Sequence, residues 1–274
     1  MKKERATLTL SEMQDVLYDI LKVFAEFCDK HGLRYYLFGG TLLGAVRHNG
    51  FIPWDDDVDV SMPRPDYEKF IELTKNSPWE HYEVKQYTQP FIKLVDTRTV
   101  MEERLLKDSL KMESIFIDIF PIDGLSSNLK ENKKHFKKIK FYKRLLTYSI
   151  VEKRKVSLGP FYKRCIKSVL FAVSSAIGYK TFQQKLEKLA KKYSYSDSEY
   201  VGVSIWTWGI KDLGRKEDLE KRVLISFRDT KLWCQGNYVE SLTKKYGDYM
   251  KLPPEDKRPP FHGICYWKEE GDLK

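Results

Sequence analysis

Cysteine is scarce and scattered in this sequence. Cys28, Cys165, Cys234 and Cys265 are the whole complement, and no two of them form a C-x-x-C pair. Neither a zinc ribbon nor a disulfide framework is expected, and a reducing compartment fits. Long apolar runs are missing too. No stretch reaches the roughly 18 uncharged apolar residues of a membrane-spanning helix. The basic start, Met1-Lys2-Lys3-Glu4-Arg5, is not followed by an apolar run, so no signal peptide is read. No internal repeat is present. The expectation is a cytoplasmic protein, soluble or peripheral to a membrane.

What is present is enough for a substantial core. The 274 residues are 42% hydrophobic and 14% aromatic, which argues for one large or two small folded domains. The net charge of +10 is unevenly spread. Lys130–Lys167 holds fourteen Lys/Arg and two Glu, a local +12 that leaves the rest at −2. Such a segment is a solvated helical face, a nucleic-acid surface or a patch that docks on anionic lipid. No nucleic-acid-binding motif accompanies it, so no nucleic-acid partner is expected. The adjoining Val169-Leu170-Phe171-Ala172-Val173 favours contact with an anionic membrane surface.

Residues 11–31 read as an amphipathic helix, with Met13, Val16, Leu17, Ile20, Leu21, Phe24, Phe27 and Cys28 at three- and four-residue steps. Ser11 with Gln14 fits a capping box and Gly32 fits the stop. Leu33–Phe38 reads as a strand ending at Gly39-Gly40, and Thr41–His48 as a helix from that turn. Strands are expected at 58–62, 91–95, 114–120 and 201–208. Helices are expected at 65–74, at 182–193 (exposed, with Lys/Glu pairs) and at 237–246. Residues 252–261 are Pro-rich and should be looped or extended.

The chemistry concentrates in two places. A Gly pair after a strand lets backbone amides approach phosphate oxygens. Soon after comes Trp54-Asp55-Asp56-Asp57-Val58-Asp59. If Asp57–Val60 is a strand, Asp57 and Asp59 point to one face, because side chains alternate with period two. Asp55 joins them if the strand starts early. Carboxylates so crowded repel one another unless a cation intervenes, and Mg²⁺ or Mn²⁺ prefers such oxygen ligands. The apolar flanks Phe51-Ile52-Pro53-Trp54 and Val58, Val60 and Met62 set the acids at the edge of a core rather than in a solvated turn. Asp118 is the lone acid in Ile115–Phe120. It reads as a strand-end residue or as a third active carboxylate, either a metal ligand or a base for an acceptor hydroxyl.

From Phe38-Gly39-Gly40-Thr41 through Arg47-His48-Asn49-Gly50 to Asp57-Val58-Asp59-Val60-Ser61-Met62, the chain resembles the LicD family. That family includes bacterial phosphocholine transferases and is related to fukutin and fukutin-related protein. The likeness continues at Arg64, Asp66-Tyr67, 91–99 and 116–123. It resumes at Tyr246-Gly247-Asp248-Tyr249-Met250, Leu252-Pro253-Pro254, Arg258 and His262.

The resemblance implies an α/β (mixed α+β) fold: a nucleotidyltransferase-like mixed β-sheet flanked by helices, with a mainly helical basic insertion. On that reading residues 1–125 form the catalytic core, 126–195 the insertion and 196–274 a C-terminal part completing the site. The implied reaction moves phosphocholine from CDP-choline to a sugar hydroxyl of a lipid-linked cell-surface glycan, of teichoic acid or lipopolysaccharide type, and releases CMP. Asp57, Asp59 and Asp118 would be the metal-centred catalytic acids, with Asp55 helping to hold a second ion. Gly39, Gly40, Thr41, Arg47, His48 and Lys93 are candidates to meet phosphate or nucleotide. Trp54, Trp206, Trp208, Tyr246 and Tyr249 are candidates for choline, which aromatic faces hold because a quaternary ammonium has no N–H to donate. Transfer of another CDP-activated alcohol phosphate (glycerol or ribitol phosphate), nucleotidyl transfer from CTP and a non-catalytic scaffold are the competing readings. Intact Asp57, Asp59 and Asp118 argue against the last.

Overall fold

The structure is a computed structural model describing residues 6–103, 106–107, 112–152, 161–206, 208–258 and 263–269. In chain order it has α1 (Leu10–Lys30), β1 (Tyr36–Leu37), α2 (Gly39–His48), β2 (Asp59–Pro63), α3 (Arg64–Leu73), β3 (Tyr82–Lys85), β4 (Ile92–Asp96), β5 (Thr99–Glu103), β6 (Met112–Glu113) and β7 (Phe116–Leu125). Then come α4 (Leu129–Ile150), α5 (Phe161–Ile177), α6 (Tyr179–Ala190), β8 (Tyr200–Gly202), β9 (Gly214–Arg215), α7 (Lys216–Glu220), β10 (Arg222–Phe227), β11 (Thr230–Gln235), α8 (Tyr238–Tyr246) and β12 (Gly263–Trp267). The mixed α/β class expected from the sequence is what forms.

The main sheet runs β1-β2-β7-β4-β3, with β8 and β9 continuing from the far end of β7. β2 and β7 are parallel, and the other pairs are antiparallel. Side-chain alternation divides the sheet's faces cleanly. Val60, Met62, Ile92, Leu94, Ile117 and Ile119 point into one core, where α1 lays down Leu17, Ile20, Leu21 and Phe24. The intervening residues point the other way, towards a second cluster of Phe38, Phe91, Phe120, Ile122, Val203 and Ile205, with Trp206 packed on it. The second face carries the polar chemistry.

Several expectations shift. The capping box sits at Thr9 and Glu12, not at Ser11 and Gln14: Thr9 Oγ1 accepts from the Glu12 N–H, and the Glu12 carboxylate accepts from the Thr9 N–H. Both pairs have the required spacing, but a carboxylate also complements the positive helix end. Gln14 instead donates to the carbonyls of Ile52 and Asp55, tying α1 to the acidic loop. The strand expected over 33–38 is two residues long, and the one over 201–208 ends at Gly202. The helix at 179–190 is not simply exposed. Phe182, Leu186 and Ala190 are buried, the first two against Ile139 and Leu146 of α4. A period-four apolar stripe outweighs the Lys/Glu pairs beside it.

Part of the basic segment, residues 153–160, lies outside the described residues, as does His262. The remainder is helical, in α4 and α5, apart from Val151 and Glu152. On α5, Val169, Val173 and Ile177 stay exposed at 62%, 50% and 47%, four residues apart along one stripe. No helix among the described residues is long and apolar enough to cross a membrane.

Candidate active site

Three adjacent strands build the floor of the site. Asp59 on β2 is the register partner of Asp118 on β7, and Asp118 is in turn the partner of Lys93 on β4. Neighbouring strands lie about 4.8 Å apart and register partners share a face. Asp59, Asp118 and Lys93 therefore stand side by side on the face opposite α1. Lys93 is buried, and its Nζ is 3.3 Å from Asp118 Oδ1 and 3.0 Å from the centroid of the Phe116 ring. Its role is thus counter-charge to the carboxylates within the site.

Asp55, Asp56 and Asp57 precede β2, which begins at Asp59 rather than at Asp57. Strand alternation therefore does not by itself orient Asp57. Its charge nonetheless reaches Asp59. The Asp59 carboxyl is held well above its usual range, first by burial, then by the charges of Asp57, Asp118 and Asp55, with Lys93 opposing. The other three predicted acids thus all act on Asp59.

The glycines are required by this crowding. Gly39 has φ +54°, and a Cβ there would lie 2.6 Å from Asp59 Oδ2. A Cβ on Gly40 would lie 2.9 Å from Asp55 Oδ2. The pair also forms the first turn of α2, whose unpaired amides favour anions. Thr41 is committed differently from expectation: its Oγ1 accepts from the Asp59 N–H at 2.8 Å. It fixes the acidic strand against α2.

Two clefts flank the acids and share no residue. One, of about 190 Å³, is lined by Asp56, Asp57, Lys93, Asp118, Gln89, Phe91 and Trp206 among others. The other, of about 460 Å³, is lined by Gly40, Asp55, Arg47, Trp54, Tyr246 and Tyr249, with Asp248 and the 251–254 loop. Arg47 closes the second cleft by donating to the Tyr249 carbonyl at 2.9 Å, and its Nε donates to His48 Nε2. Burial and the neighbouring guanidinium push the His48 imidazole below its usual range. His48 is not one of that cleft's walls. The five candidate aromatics are therefore divided. Trp54, Tyr246 and Tyr249 border Asp55, whereas Trp206 and Trp208 lie elsewhere, although Trp208 touches Tyr246 at 5.1 Å between centroids. The Arg258 guanidinium lies 4.2 Å from the Trp54 ring.

No three carboxylate, His or Cys side chains among the described residues already converge as a formed ion site. The donor set still fits a hard divalent cation. It consists of carboxylate oxygens alone, it includes a buried acid destabilised by its neighbours, and the Cβ-free Gly39 lets that carboxylate stand against the start of α2. Relief of that repulsion is what Mg²⁺ or Mn²⁺ supplies.

Other acids in the same sequence blocks are structural. Asp123, further along β7, accepts from Arg64 Nε at 2.6 Å and from Nη2 at 2.9 Å, with Glu187 also on Arg64. Asp66 is paired with Arg34. The buried pair Asp212–Lys245 (2.7 Å) and the lysines of α4 had no local sequence signal tying them to the site.

Known proteins are similar to this chain over the same region. The LicD/FKTN/FKRP nucleotidyltransferase domain matches residues 32–167, which take in Gly39, the acidic run and Asp118. The chain is 33% identical over 265 residues to the lipopolysaccharide cholinephosphotransferase LicD of Haemophilus influenzae, covering 93% of this chain and 96% of that one. The chain belongs to the LicD family. Within it, a 31-residue stretch is 61% identical to the ribitol 5-phosphate transferase FKRP of human and mouse, covering 11% of this chain and 6% of FKRP. The LicD likeness thus spans nearly the whole chain, whereas the FKRP likeness is confined to a short block.

Proposed function

We propose that the chain is a metal-dependent transferase moving phosphocholine from CDP-choline to a sugar hydroxyl of a lipid-linked cell-surface glycan precursor, with release of CMP. The observation that carries this reading is the row Asp59, Asp118 and Lys93 on three neighbouring strands, set beside the Gly39-Gly40 helix start. The near full-length likeness to a cholinephosphotransferase supports choline as the cargo.

Transfer is an in-line displacement, so charge neutralisation and positioning do most of the work. The acceptor oxygen forms a bond to the phosphorus that carries choline, and the bond from that phosphorus to the CMP oxygen breaks. Asp118, which lines the inner cleft with Asp57, would help to take the hydroxyl proton. Gly39 and Gly40 offer backbone amides to the donor diphosphate, and Lys93 adds positive charge beside Asp118. A Mg²⁺ or Mn²⁺ ion held by Asp55, Asp57, Asp59 and Asp118 would neutralise the donor phosphates. Trp54, Tyr246 and Tyr249, with the Asp55 carboxylate, give the donor cleft the ring faces and negative charge that suit a quaternary ammonium.

The FKRP stretch favours one second reading, in which the same centre moves ribitol phosphate. The exposed Val169, Val173 and Ile177 beside a basic segment support peripheral contact with the inner face of an anionic membrane. The test of the main reading is intact-mass analysis of a lipopolysaccharide acceptor after incubation with protein, CDP-choline and Mg²⁺. A mass gain of one phosphocholine, absent with Asp118→Asn, supports it; no gain in any metal contradicts it.

A further inference from the structure

A third cleft, of about 540 Å³, lies between α4 and the segment after β8. Lys133, Lys137, Lys140 and Lys143 line one wall, and Trp206 and Trp208 the other. The four lysines recur at steps of four, three and three, so they form one stripe of α4. At 1.5 Å per residue that stripe is about 15 Å long. No acidic residue lines the cleft. Among the described residues, no carboxylate is salt-bridged to any of the four. Lys143 is the innermost: its Nζ lies 4.4 Å from the centre of the Trp206 ring, and burial pushes its ammonium down to about 8. Four aligned like charges repel one another, and holding one of them away from water adds a cost. A bound anion offsets both.

Trp206 also lines the cleft that holds Asp57, Asp118 and Lys93. The lysine cleft and the cleft of the carboxylates are therefore neighbours, with the Trp206 side chain common to both. The choline end of the donor is assigned to a different cleft, the one bordered by Trp54, Tyr246 and Tyr249. In-line transfer needs a separate approach for the attacking hydroxyl. A stripe about 15 Å long also exceeds what one diphosphate needs, whereas it suits several anionic groups carried on linked sugars. Indole faces stack on the C–H faces of pyranose rings.

We infer that this cleft is the acceptor subsite and that it takes a phosphorylated oligosaccharide, its rings against Trp206 and Trp208 and its phosphates along Lys133, Lys137, Lys140 and Lys143. The inference rests on the transferase reading for the name of acceptor, but binding at the cleft is measurable without turnover.

Titration calorimetry on the full-length protein is the test, with the variant Lys137→Glu/Lys140→Glu, both exposed positions. The probes are a water-soluble lipopolysaccharide core oligosaccharide in its phosphorylated and phosphatase-treated forms, CDP-choline with Mg²⁺, and phosphatidylglycerol vesicles assayed by co-sedimentation. The phosphorylated oligosaccharide should bind the variant about tenfold or more weaker than the wild type. Phosphatase treatment should weaken wild-type binding by a similar factor, and CDP-choline should bind both proteins alike. Circular dichroism keeps misfolding apart from lost binding, and Lys140→Gln alone should give an intermediate loss. Equal oligosaccharide binding by wild type and variant overturns the subsite. So does competition between CDP-choline and oligosaccharide for one site, or a loss confined to vesicle binding. Failure of CDP-choline to bind, with oligosaccharide binding as expected, strikes the donor assignment and leaves the cleft's ligand in place.

Discussion

Asp59 and Asp118 are register partners on adjacent parallel strands, two carboxylates on one face of the sheet with Lys93 next in line. Asp59 is buried, and its carboxyl is driven upward by burial and by three other acids. Such an arrangement sacrifices stability for a cation-binding centre. Asp59→Asn should therefore raise the stability of the metal-free protein, by about 1 kcal/mol, while lowering turnover by about 100-fold or more. Thermal unfolding in EDTA, followed by the same melt with added Mg²⁺, checks this. The ion should raise the wild-type Tm and leave the variant unchanged.

Gly39→Ala should be costly on two counts. A side chain is strained at φ +54°, and the new Cβ would meet Asp59 Oδ2 at 2.6 Å. A loss of about 1–3 kcal/mol in denaturant unfolding is expected, with activity abolished. Gly40→Ala has no such φ penalty. It should be milder in stability yet still weaken the donor, because its Cβ would press on Asp55 and cover the helix start.

Arg64→Ala would leave Asp123 buried without its bidentate partner. Removing one member of a buried pair typically costs about 3–5 kcal/mol. For a chain of this size, that lowers Tm by about 6–20 °C. Expression at reduced temperature should recover folded protein with its donor affinity intact, since Arg64 touches neither donor cleft nor metal-binding acids.

Lys143 gives a pH dependence of stability. Its ammonium titrates near 8 in the fold against 10.5 for the ordinary side chain. The folded state thus prefers the neutral amine. The penalty is fully present below about 8, and stability from this group rises as the pH climbs from 8 towards 10.5. Lys143→Met should be more stable than wild type at neutral pH, by on the order of 1–2 kcal/mol. Paired melts across pH 7–10 should show that advantage shrinking as the pH rises.

The crowding of Asp55, Asp57 and Asp59 was legible because the three are close in sequence, although strand alternation fails for Asp57, which precedes β2. Asp118 was legible as a lone charge in an apolar strand. Thr41 was not, because its hydrogen bond to Asp59 depends on how α2 meets β2. Nor was the division of the aromatics. Trp54 and Tyr246 come together from far ends of the chain, while Trp206 is drawn off by Phe91 and Phe120. The lysine cleft escaped for a similar reason. A run of fourteen basic residues over 130–167 conceals which four share a stripe, and only the packing of α4 reveals what they face. Short pairings such as β5 with β12 have no signature beyond a few β-branched or aromatic residues.

CMP release reports the transfer reaction itself. Purified protein with Mg²⁺ or Mn²⁺ and a lipopolysaccharide acceptor would be offered CDP-choline, CDP-glycerol, CDP-ribitol and CTP in parallel. Metal-dependent CMP from CDP-choline, stimulated by the acceptor and lost with Asp118→Asn, is the expected result. Pyrophosphate from CTP with no CMP from any CDP-alcohol would contradict it.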